Sequence, residues 1–282
     1  VTPFHNGLID EEKFRAHIED QISRGINGLV PCGTTGESAT MTHAEHKQAI
    51  QICVDQAKNR VPVLAGAGSK NTREAIELTT FAKQAGADGV LHITPYYNKP
   101  TQAGVIAHFQ AIAREIPMPM VVYNVPGRTG LNVLPETLAQ LKDSVPEVEG
   151  VKEASGNIRQ ISEVIEYCGP EFTVLAGDDF VVLPLLALGG KGVISVLSNI
   201  LPDKMSALCS AHAQEDLNQA QALHMELAPL SRAMVLETNP IPVKTALAMM
   251  GRMDLSLRLP LVPLHPDNEA RLQEILRQNG LL

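Results

Sequence analysis

Short apolar runs alternate with segments of helical spacing along most of the chain. The runs are rich in β-branched residues and are bounded by Gly, Pro or Asn, which is typical of buried strands. Eight strands are predicted, at Val1–Phe4, Gly28–Gly33, Val61–Gly66, Gly89–Thr94, Met118–Asn124, Val148–Ala154, Phe172–Gly177 and Gly192–Leu197.

The segments between these strands carry apolar residues at the spacing of an amphipathic helix, and several open with a capping Thr, Asp or Asn. Helices are predicted at Asp10–Arg24, Thr42–Lys58, Thr72–Ala85, Ala103–Glu115, Pro135–Lys142, Ile158–Cys168 and Phe180–Leu188. Because helices join the strands, the strands must pair in parallel. Eight such units predict the α/β class and a (β/α)8 TIM barrel, rather than a doubly wound sheet, which usually has fewer strands.

The pattern changes to helix upon helix after Ser198. Four helices are predicted there, at Lys204–Ala213, Leu217–Val235, Val243–Gly251 and Asn268–Gln278. An eight-unit barrel needs only the first of them. We therefore predict a barrel domain over residues 1–215 and a C-terminal helical extension over residues 216–282.

Composition favours small-molecule chemistry in a reducing compartment. The net charge of −8 argues against nucleic acid as a partner, and no apolar run is long enough to cross a membrane. The four cysteines are widely spaced and form no C-x-x-C pair, so they predict neither a disulfide framework nor a zinc site and favour the cytoplasm. Because Val1–Phe4 resembles the end of a strand, a short N-terminal piece is expected to precede it.

Polar residues directly follow several of the predicted strands. In a barrel of this class the active site lies at the carboxyl ends of the strands, so these residues are the candidates for chemistry. They are Thr34, Thr35, Glu37, Tyr96, Tyr97, Tyr123, Arg128, Lys152, Glu153, Asp178 and Asp179.

Lys152 is the sharpest of these candidates, because it stands in an otherwise apolar strand after Gly150 and Val151. Burial favours the neutral amine of a lysine, and the neutral amine is the form that attacks a carbonyl. The alternative is a structural lysine whose charge is paired with Glu153 or Glu149.

Tyr123, Thr34, Thr35 and Arg128 are further candidates at strand ends. Tyr123 ends the strand before that of Lys152, so its phenol can shuttle protons in the same site; alternatively it is a core tyrosine. The two threonines lie between glycines, in a turn that can hold a small carboxylate or can be an ordinary loop. The Arg128 fork suits a substrate carboxylate, and its alternative is a surface arginine.

Other possible motifs are weaker. GAGSKNT lacks the spacing of a P-loop, so no nucleotide cofactor is predicted. His43 and His46 lie three residues apart on a predicted helix without further ligands, so no metal site is predicted. Asp178 and Asp179 are adjacent, and their diverging side chains disfavour a carboxylate dyad.

Together the motifs resemble the pyruvate-dependent class I aldolase family, which includes N-acetylneuraminate lyase and dihydrodipicolinate synthase. The motifs that carry the resemblance are GTTGES, TPYYNKP, YNVPGRTG, GVKEASG, GDD, GGKGVISV and NPIPVK, in the family's order and at its spacing. They span nearly the whole chain. The YNVPGRTG segment resembles the synthase branch, whose arginine holds the carboxylate of the second substrate; sialic acid lyases differ there.

The resemblance implies a reaction and a set of roles. Lys152 forms an imine with pyruvate, Thr35 and the backbone of Ile194 hold pyruvate, and Thr34, Tyr123 and Tyr97 form a proton relay. Arg128 holds the second substrate, L-aspartate 4-semialdehyde. The resemblance implies no cofactor or metal. It also implies a homo-oligomer, expected to be a tetramer built as a dimer of dimers, in which Tyr97 enters the neighbouring subunit's site.

An effector site for lysine is also implied, with one departure from the family's pattern. The matching residues are Ser38, Ala39, His43, His46, Lys70, Glu74 and Tyr96. Lysine-sensitive members typically carry Asn at the position of Lys70. A cation there repels the ammonium of the inhibitor, so weak or absent inhibition is expected.

Two other functions compete with the synthase. One is a Schiff-base aldolase or lyase on the same barrel that cleaves a sugar-derived 2-keto acid, and Arg128 in its Gly-Arg-Thr setting argues against it. The other is a catalytically silent barrel kept for binding or assembly. Such a barrel is expected to lose its lysine or its tyrosine, and both are present at Lys152 and Tyr123.

Overall fold

The computed structural model describes all residues, 1–282, as strands and helices that alternate through most of the chain. The strands are β1 (Phe4–His5), β2 (Leu8–Ile9), β3 (Leu64–Gly66), β4 (Gly89–Ile93), β5 (Met120–Asn124), β6 (Val148–Glu153), β7 (Thr173–Ala176) and β8 (Gly192–Val193).

The α-helices are α1 (Glu11–Ser23), α2 (His43–Ala57), α3 (Thr72–Ala85), α4 (Gln102–Glu115), α5 (Pro126–Thr129), α6 (Pro135–Ser144), α7 (Ile158–Cys168), α8 (Val182–Ala187), α9 (Pro202–Ala213), α10 (Leu217–Ala233), α11 (Ile241–Met249) and α12 (Pro266–Gln278). Short 3₁₀ helices cover Ser38–Thr40, Asp179–Val181 and Leu197–Asn199. None of the helices combines the length and the apolar character needed to cross a bilayer.

Residues 63–195 form one compact unit around a parallel sheet. The strand order is β3-β4-β5-β6-β7-β8, so each strand pairs with the next one along the chain. Residues on both faces of β4, β5 and β6 are buried, which explains why these strands read as nearly continuous apolar runs.

Residues 1–62 and 196–282 form the second compact unit. It contains the β1–β2 pair, the helices α1 and α2, which pack against each other, and the C-terminal helices. Among these, α9 packs on α10, and α12 packs on both α10 and α11. The division into domains at residues 215 and 216 stays a prediction.

Side-chain caps fix the starts of most long helices at the predicted positions. Thr42 forms a reciprocal capping box with Glu45 at the start of α2, and Asn157 caps α7. The α3 helix begins at Thr72, as predicted, and its cap is the preceding Asn71. These caps bond amide hydrogens that have no partner within the helix.

The strand predicted at Val1–Phe4 is wrong. Phe4–His5 instead pairs antiparallel with Leu8–Ile9. The connection is Asn6–Gly7, with φ angles of 49° and 80°, so this hairpin turn needs two residues that tolerate the left-handed region. The Asn-Gly pair was the available signal, and it predicts a hairpin more strongly than the apolar run predicts a parallel strand.

The strand predicted at Gly28–Gly33 is reduced to a single residue. The amide of Leu29 donates to the carbonyl of Pro62 at 2.9 Å, and no other residue of this predicted strand is in strand conformation. Pro31 has no amide hydrogen to donate, and Cys32 adopts a φ of 59°, outside the strand region. The strand predicted at Gly192–Leu197 contracts to Gly192–Val193.

Two buried histidines lie close together, one on strand β4 and one on helix α4. The ring of His92 on β4 contacts the Thr79 hydroxyl at 3.1 Å, and the ring of His108 on α4 contacts the Thr72 hydroxyl at 2.9 Å. Both rings pack edge-on against Phe109. Burial lowers the pKa of His92 to about 3 and that of His108 to about 4.

These histidines predict a stability that depends on pH. Both are neutral in the folded protein at about pH 5, whereas they are protonated in the unfolded chain below about pH 6.5. The unfolded chain therefore binds more protons, and the free energy of unfolding falls as the pH falls from about 6.5 toward 4. We expect His92→Gln to reduce this slope by about 1.4 kcal/mol per pH unit, measured by urea denaturation.

Thr79→Val is the matched control, because it removes the hydroxyl that His92 contacts and keeps the titrating imidazole. We expect this variant to retain the slope of the native protein. An unchanged slope in His92→Gln contradicts the assignment of proton uptake to this side chain.

Candidate active site

Parallel pairing of β5 and β6 brings Lys152 and Tyr123 side by side. The two residues are direct register partners, and the Lys152 Nζ atom lies 4.3 Å from the centroid of the Tyr123 ring. Lys152 is 8 % exposed and Tyr123 is 6 % exposed. A primary amine and a phenol therefore share one nearly buried position at the carboxyl end of the sheet.

Neither carboxylate considered as a structural partner is paired with Lys152. Glu153 is fully buried, and its carboxylate accepts hydrogen bonds from the Asn124 amide at 2.9 Å, the Gln160 amide at 3.1 Å and the Ser155 backbone amide at 2.7 Å. Glu149 is an exposed extra residue where the β5–β6 register shifts. The geometry leaves the Lys152 amine beside the phenol rather than in an ion pair.

Thr34 and Thr35 lie in a tight turn. The Gly36 amide donates to the Gly33 carbonyl at 3.0 Å, and the Glu37 amide donates to the Thr34 carbonyl at 3.1 Å. Both threonine side chains are half-buried. The turn thus presents two hydroxyl groups within a short, closed loop.

Asn239 is the residue that fixes the Thr35 side chain, and sequence reasoning assigned it no role. Its amide group donates to the Thr35 hydroxyl oxygen at 2.9 Å across most of the chain length. The available signal was its place in NPIPVK, where Asn239 and Lys244 are polar residues in an otherwise apolar segment.

Arg128 and Ile194 occupy two further strand ends. Arg128 is exposed on the four-residue helix α5, which the sequence pattern did not predict and which begins with Pro126. The Ile194 amide donates to the Ala176 carbonyl at 2.9 Å, continuing the pairing of β7 and β8. Its carbonyl oxygen is therefore the backbone group that can hold a ligand.

The two tyrosines after β4 differ in exposure. Tyr97 is 87 % exposed and has a φ of 70°, a conformation that non-glycine residues rarely adopt. Tyr96 is half-buried, and its pKa is raised by burial and by the charge of Glu74.

Three of the possible effector residues lie together in the 63–195 unit. The Lys70 Nζ atom is 5.7 Å from the centroid of the Tyr96 ring, and the Ser69 hydroxyl donates to the Glu74 carboxylate. The Asn98 amide donates to the Lys70 carbonyl at 3.1 Å, which ties this loop to the segment after β4.

The other possible effector residues lie on one short segment of the second unit. Ser38 and Ala39 belong to a 3₁₀ helix, and His43 is the exposed first residue of α2. His46 is buried, and its backbone carbonyl accepts from the Cys32 thiol at 3.4 Å.

The cysteines do not provide a nucleophile. Burial raises the pKa of Cys168 and Cys209 to about 11 and that of Cys53 to about 12, and it raises the pKa of Cys32 further. A thiol of this kind stays protonated near neutral pH, and the thiolate is the reactive form. Lys152, beside Tyr123, therefore stays the candidate nucleophile.

Comparison with protein families gives one match that spans nearly the whole chain. The model of the dihydrodipicolinate synthetase family matches residues 1–279. A curated relative, the 4-hydroxy-tetrahydrodipicolinate synthase of Nitratidesulfovibrio vulgaris strain Miyazaki F, is 67% identical over 282 residues, which are 100% of this chain and 97% of the relative.

Solved structures of the same family superpose on the full chain. The dihydrodipicolinate synthase from Aquifex aeolicus matches with a TM-score of 0.98 at 42% identity, over 100% of this chain and 96% of that one. The chloride-inhibited dihydrodipicolinate synthase from Acinetobacter baumannii, complexed with pyruvate, matches with a TM-score of 0.97 at 41% identity, over 100% of this chain and 97% of that one. These matches and the parallel strand–helix alternation confirm the predicted class, a (β/α)8 TIM barrel with C-terminal helices.

Proposed function

We propose, on the premise that this chain belongs to the dihydrodipicolinate synthetase family, that it condenses pyruvate with L-aspartate 4-semialdehyde through an imine on Lys152. The products are 4-hydroxy-tetrahydrodipicolinate and water, on the diaminopimelate route to L-lysine. The observation that carries the proposed mechanism is the contact of the Lys152 amine with the Tyr123 ring in a nearly buried position.

The reaction begins at the Lys152 amine. Its lone pair attacks the carbonyl carbon of pyruvate and forms a carbinolamine, which loses water to give a protonated imine. The imine withdraws electrons from the methyl carbon, so a methyl proton is lost and an enamine forms. Tyr123, beside the amine, moves protons during addition and dehydration, with Thr34 and Tyr97 as the other members of the relay.

The enamine carbon then attacks the aldehyde carbon of the second substrate. A carbon–carbon bond forms, and the aldehyde oxygen takes up a proton to become the hydroxyl group. The amino group derived from the semialdehyde attacks the imine carbon, which closes the ring and releases Lys152 as a free amine. The balance is one water released per turnover, which places the reaction among the carbon–oxygen lyases.

Three groups of this chain are assigned to the two substrates. Thr35 and the backbone of Ile194 hold pyruvate, and Arg128 holds the carboxylate of the semialdehyde through the planar fork of its guanidinium. The exposed position of Arg128 on α5 supports a role at the mouth of the site, where the second substrate enters.

We also propose a homotetramer, built as a dimer of dimers, that acts in the cytoplasm. The support is Tyr97, which is 87 % exposed although it is proposed to take part in catalysis. A neighbouring subunit that covers this phenol completes two sites at once.

The imine predicts a covalent adduct that borohydride makes stable. After incubation with pyruvate and borohydride, we expect intact-mass spectrometry to show one pyruvate adduct on the native chain and none on Lys152→Ala. Lys152→Arg is the matched control, because it keeps a positive charge but has no amine that can form the imine. Absence of an adduct on the native chain contradicts the mechanism.

Arg128 predicts a defect confined to the second substrate. We expect Arg128→Ala to raise the KM for the semialdehyde by roughly tenfold to a hundredfold, the size of a lost charge-assisted hydrogen-bond pair, while the pyruvate adduct still forms. The KM of Arg128→Lys for the semialdehyde is expected to lie between that of the native protein and that of Arg128→Ala. Unchanged semialdehyde kinetics, or native activity on long hydroxylated 2-keto acids instead, favours the sugar-acid lyase.

Because Lys70 carries a positive charge, we expect feedback inhibition by lysine to be weak or absent. The Lys70 ammonium beside Tyr96 repels the ammonium of an incoming lysine. We expect the native protein to keep its activity at sub-millimolar lysine and Lys70→Asn to become more sensitive. Strong inhibition of the native protein in an initial-rate assay at that concentration overturns this expectation.

A further inference from the structure

The turn that carries Thr34 and Thr35 ends in a buried carboxylate. Glu37 is 2 % exposed and has a φ of 57°, a left-handed conformation that is strained for a non-glycine residue. Its carboxylate accepts from the Lys244 ammonium at 2.5 Å, from the Arg258 backbone amide at 3.1 Å and from the Thr40 hydroxyl at 3.3 Å.

The partner of this carboxylate belongs to the C-terminal helices. Lys244 on α11 is 0 % exposed, and its ammonium lies 4.4 Å from the centroid of the Phe4 ring. Burial lowers the pKa of Lys244, and the charge of Glu37 opposes that shift. Arg258 contacts the same ring at 4.0 Å and forms an ion pair with Glu45. The backbone after Thr35 is thus tied to residues 239–258.

Stability alone does not explain an ion pair at this depth. Desolvation of the two charges offsets much of their attraction, and apolar residues of similar volume are often as stable. What the pair supplies is a fixed distance between the turn and the start of α11. Asn239 lies two residues before α11 and contacts the turn directly.

The Asn239 contact sets the direction in which the Thr35 hydroxyl can donate. A hydroxyl has one hydrogen to donate and two lone pairs that accept. Because the Asn239 amide occupies one lone pair of Thr35 at 2.9 Å, the hydroxyl hydrogen points away from Asn239. The hydroxyl hydrogen is then available to an anionic oxygen on the side of Thr35 that faces away from Asn239.

We propose that Asn239 is a positioning residue for pyruvate. It orients the Thr35 hydroxyl so that the hydroxyl hydrogen is donated to the pyruvate carboxylate. The Glu37–Lys244 pair keeps Asn239 and the turn at the distance that this hydrogen bond needs. This inference rests on the proposed function, in which Thr35 binds pyruvate. It assigns the C-terminal helices a task in substrate binding.

The test is the pyruvate concentration that gives the half-maximal initial rate of adduct formation under borohydride, measured for the native chain, Asn239→Ala, Thr35→Val and the double variant. Loss of one oriented hydrogen bond raises the half-saturating concentration by about fivefold to tenfold in Asn239→Ala. If Asn239 acts through the Thr35 hydroxyl, the same substitution in the Thr35→Val background changes it by less than about twofold.

Two further variants separate positioning from folding. Thr245→Val lies on α11 next to Lys244 and removes a hydroxyl that bonds only the Ile241 carbonyl, so its half-saturation stays native. Asn239→Asp keeps the size of the side chain but has no amide hydrogen to donate, so its half-saturation rises at least as much as that of Asn239→Ala. Thermal unfolding of every variant accompanies the titrations.

Several results overturn the inference. One is a native half-saturation in both Asn239 variants, and another is an equal effect of Asn239→Ala with and without the Thr35 hydroxyl. If either result is found while the native chain still saturates with pyruvate, the inference about Asn239 is wrong and the proposed function stands. A native chain without any adduct removes both.

Discussion

The register between β5 and β6 is the constraint on which the candidate site depends. It places Tyr123 opposite Lys152 and, one residue later, Asn124 opposite Glu153. The second pair is joined by the hydrogen bond between the Asn124 amide and the buried Glu153 carboxylate. A slip of one residue turns every side chain to the other face, so it buries the amine where the carboxylate belongs. The Asn124–Glu153 hydrogen bond therefore supports the register that brings Lys152 and Tyr123 together.

In the second unit the candidate site residues Thr34 and Thr35 lie on a turn rather than on strands. A loop of Gly and Thr has little packing of its own and gains its shape from partners elsewhere. Here those partners are polar and buried: the Asn239 amide on Thr35 and the Lys244 ammonium on Glu37. Buried polar groups tolerate few alternative arrangements, since each unmade bond costs roughly 1–3 kcal/mol. These contacts therefore favour one arrangement of the turn over its alternatives.

The central sheet, most of the helices and the residues at strand ends were predictable, because buried parallel strands and amphipathic helices leave strong periodic patterns. Lys152 and Tyr123 stood out for the same reason, as polar residues that interrupt apolar runs. The errors have local causes: the Asn6–Gly7 turn redirects the first strand, and Pro31 stops the second. Asn239 was marked only as a polar residue of NPIPVK, and its contact with Thr35 was not predictable, because the two residues are distant in sequence and no local period records the contact.

The distance along the chain between Glu37 and its partners also bears on synthesis. A ribosome releases the N-terminal end first, so Glu37 emerges long before Lys244 and Arg258. Until the last of these leaves the exit tunnel, the carboxylate has no countercharge to enter the interior with, and it stays hydrated. The nascent chain therefore cannot bury Glu37 against these partners through most of translation. The full set of contacts around Glu37 therefore forms only when almost the entire polypeptide is available.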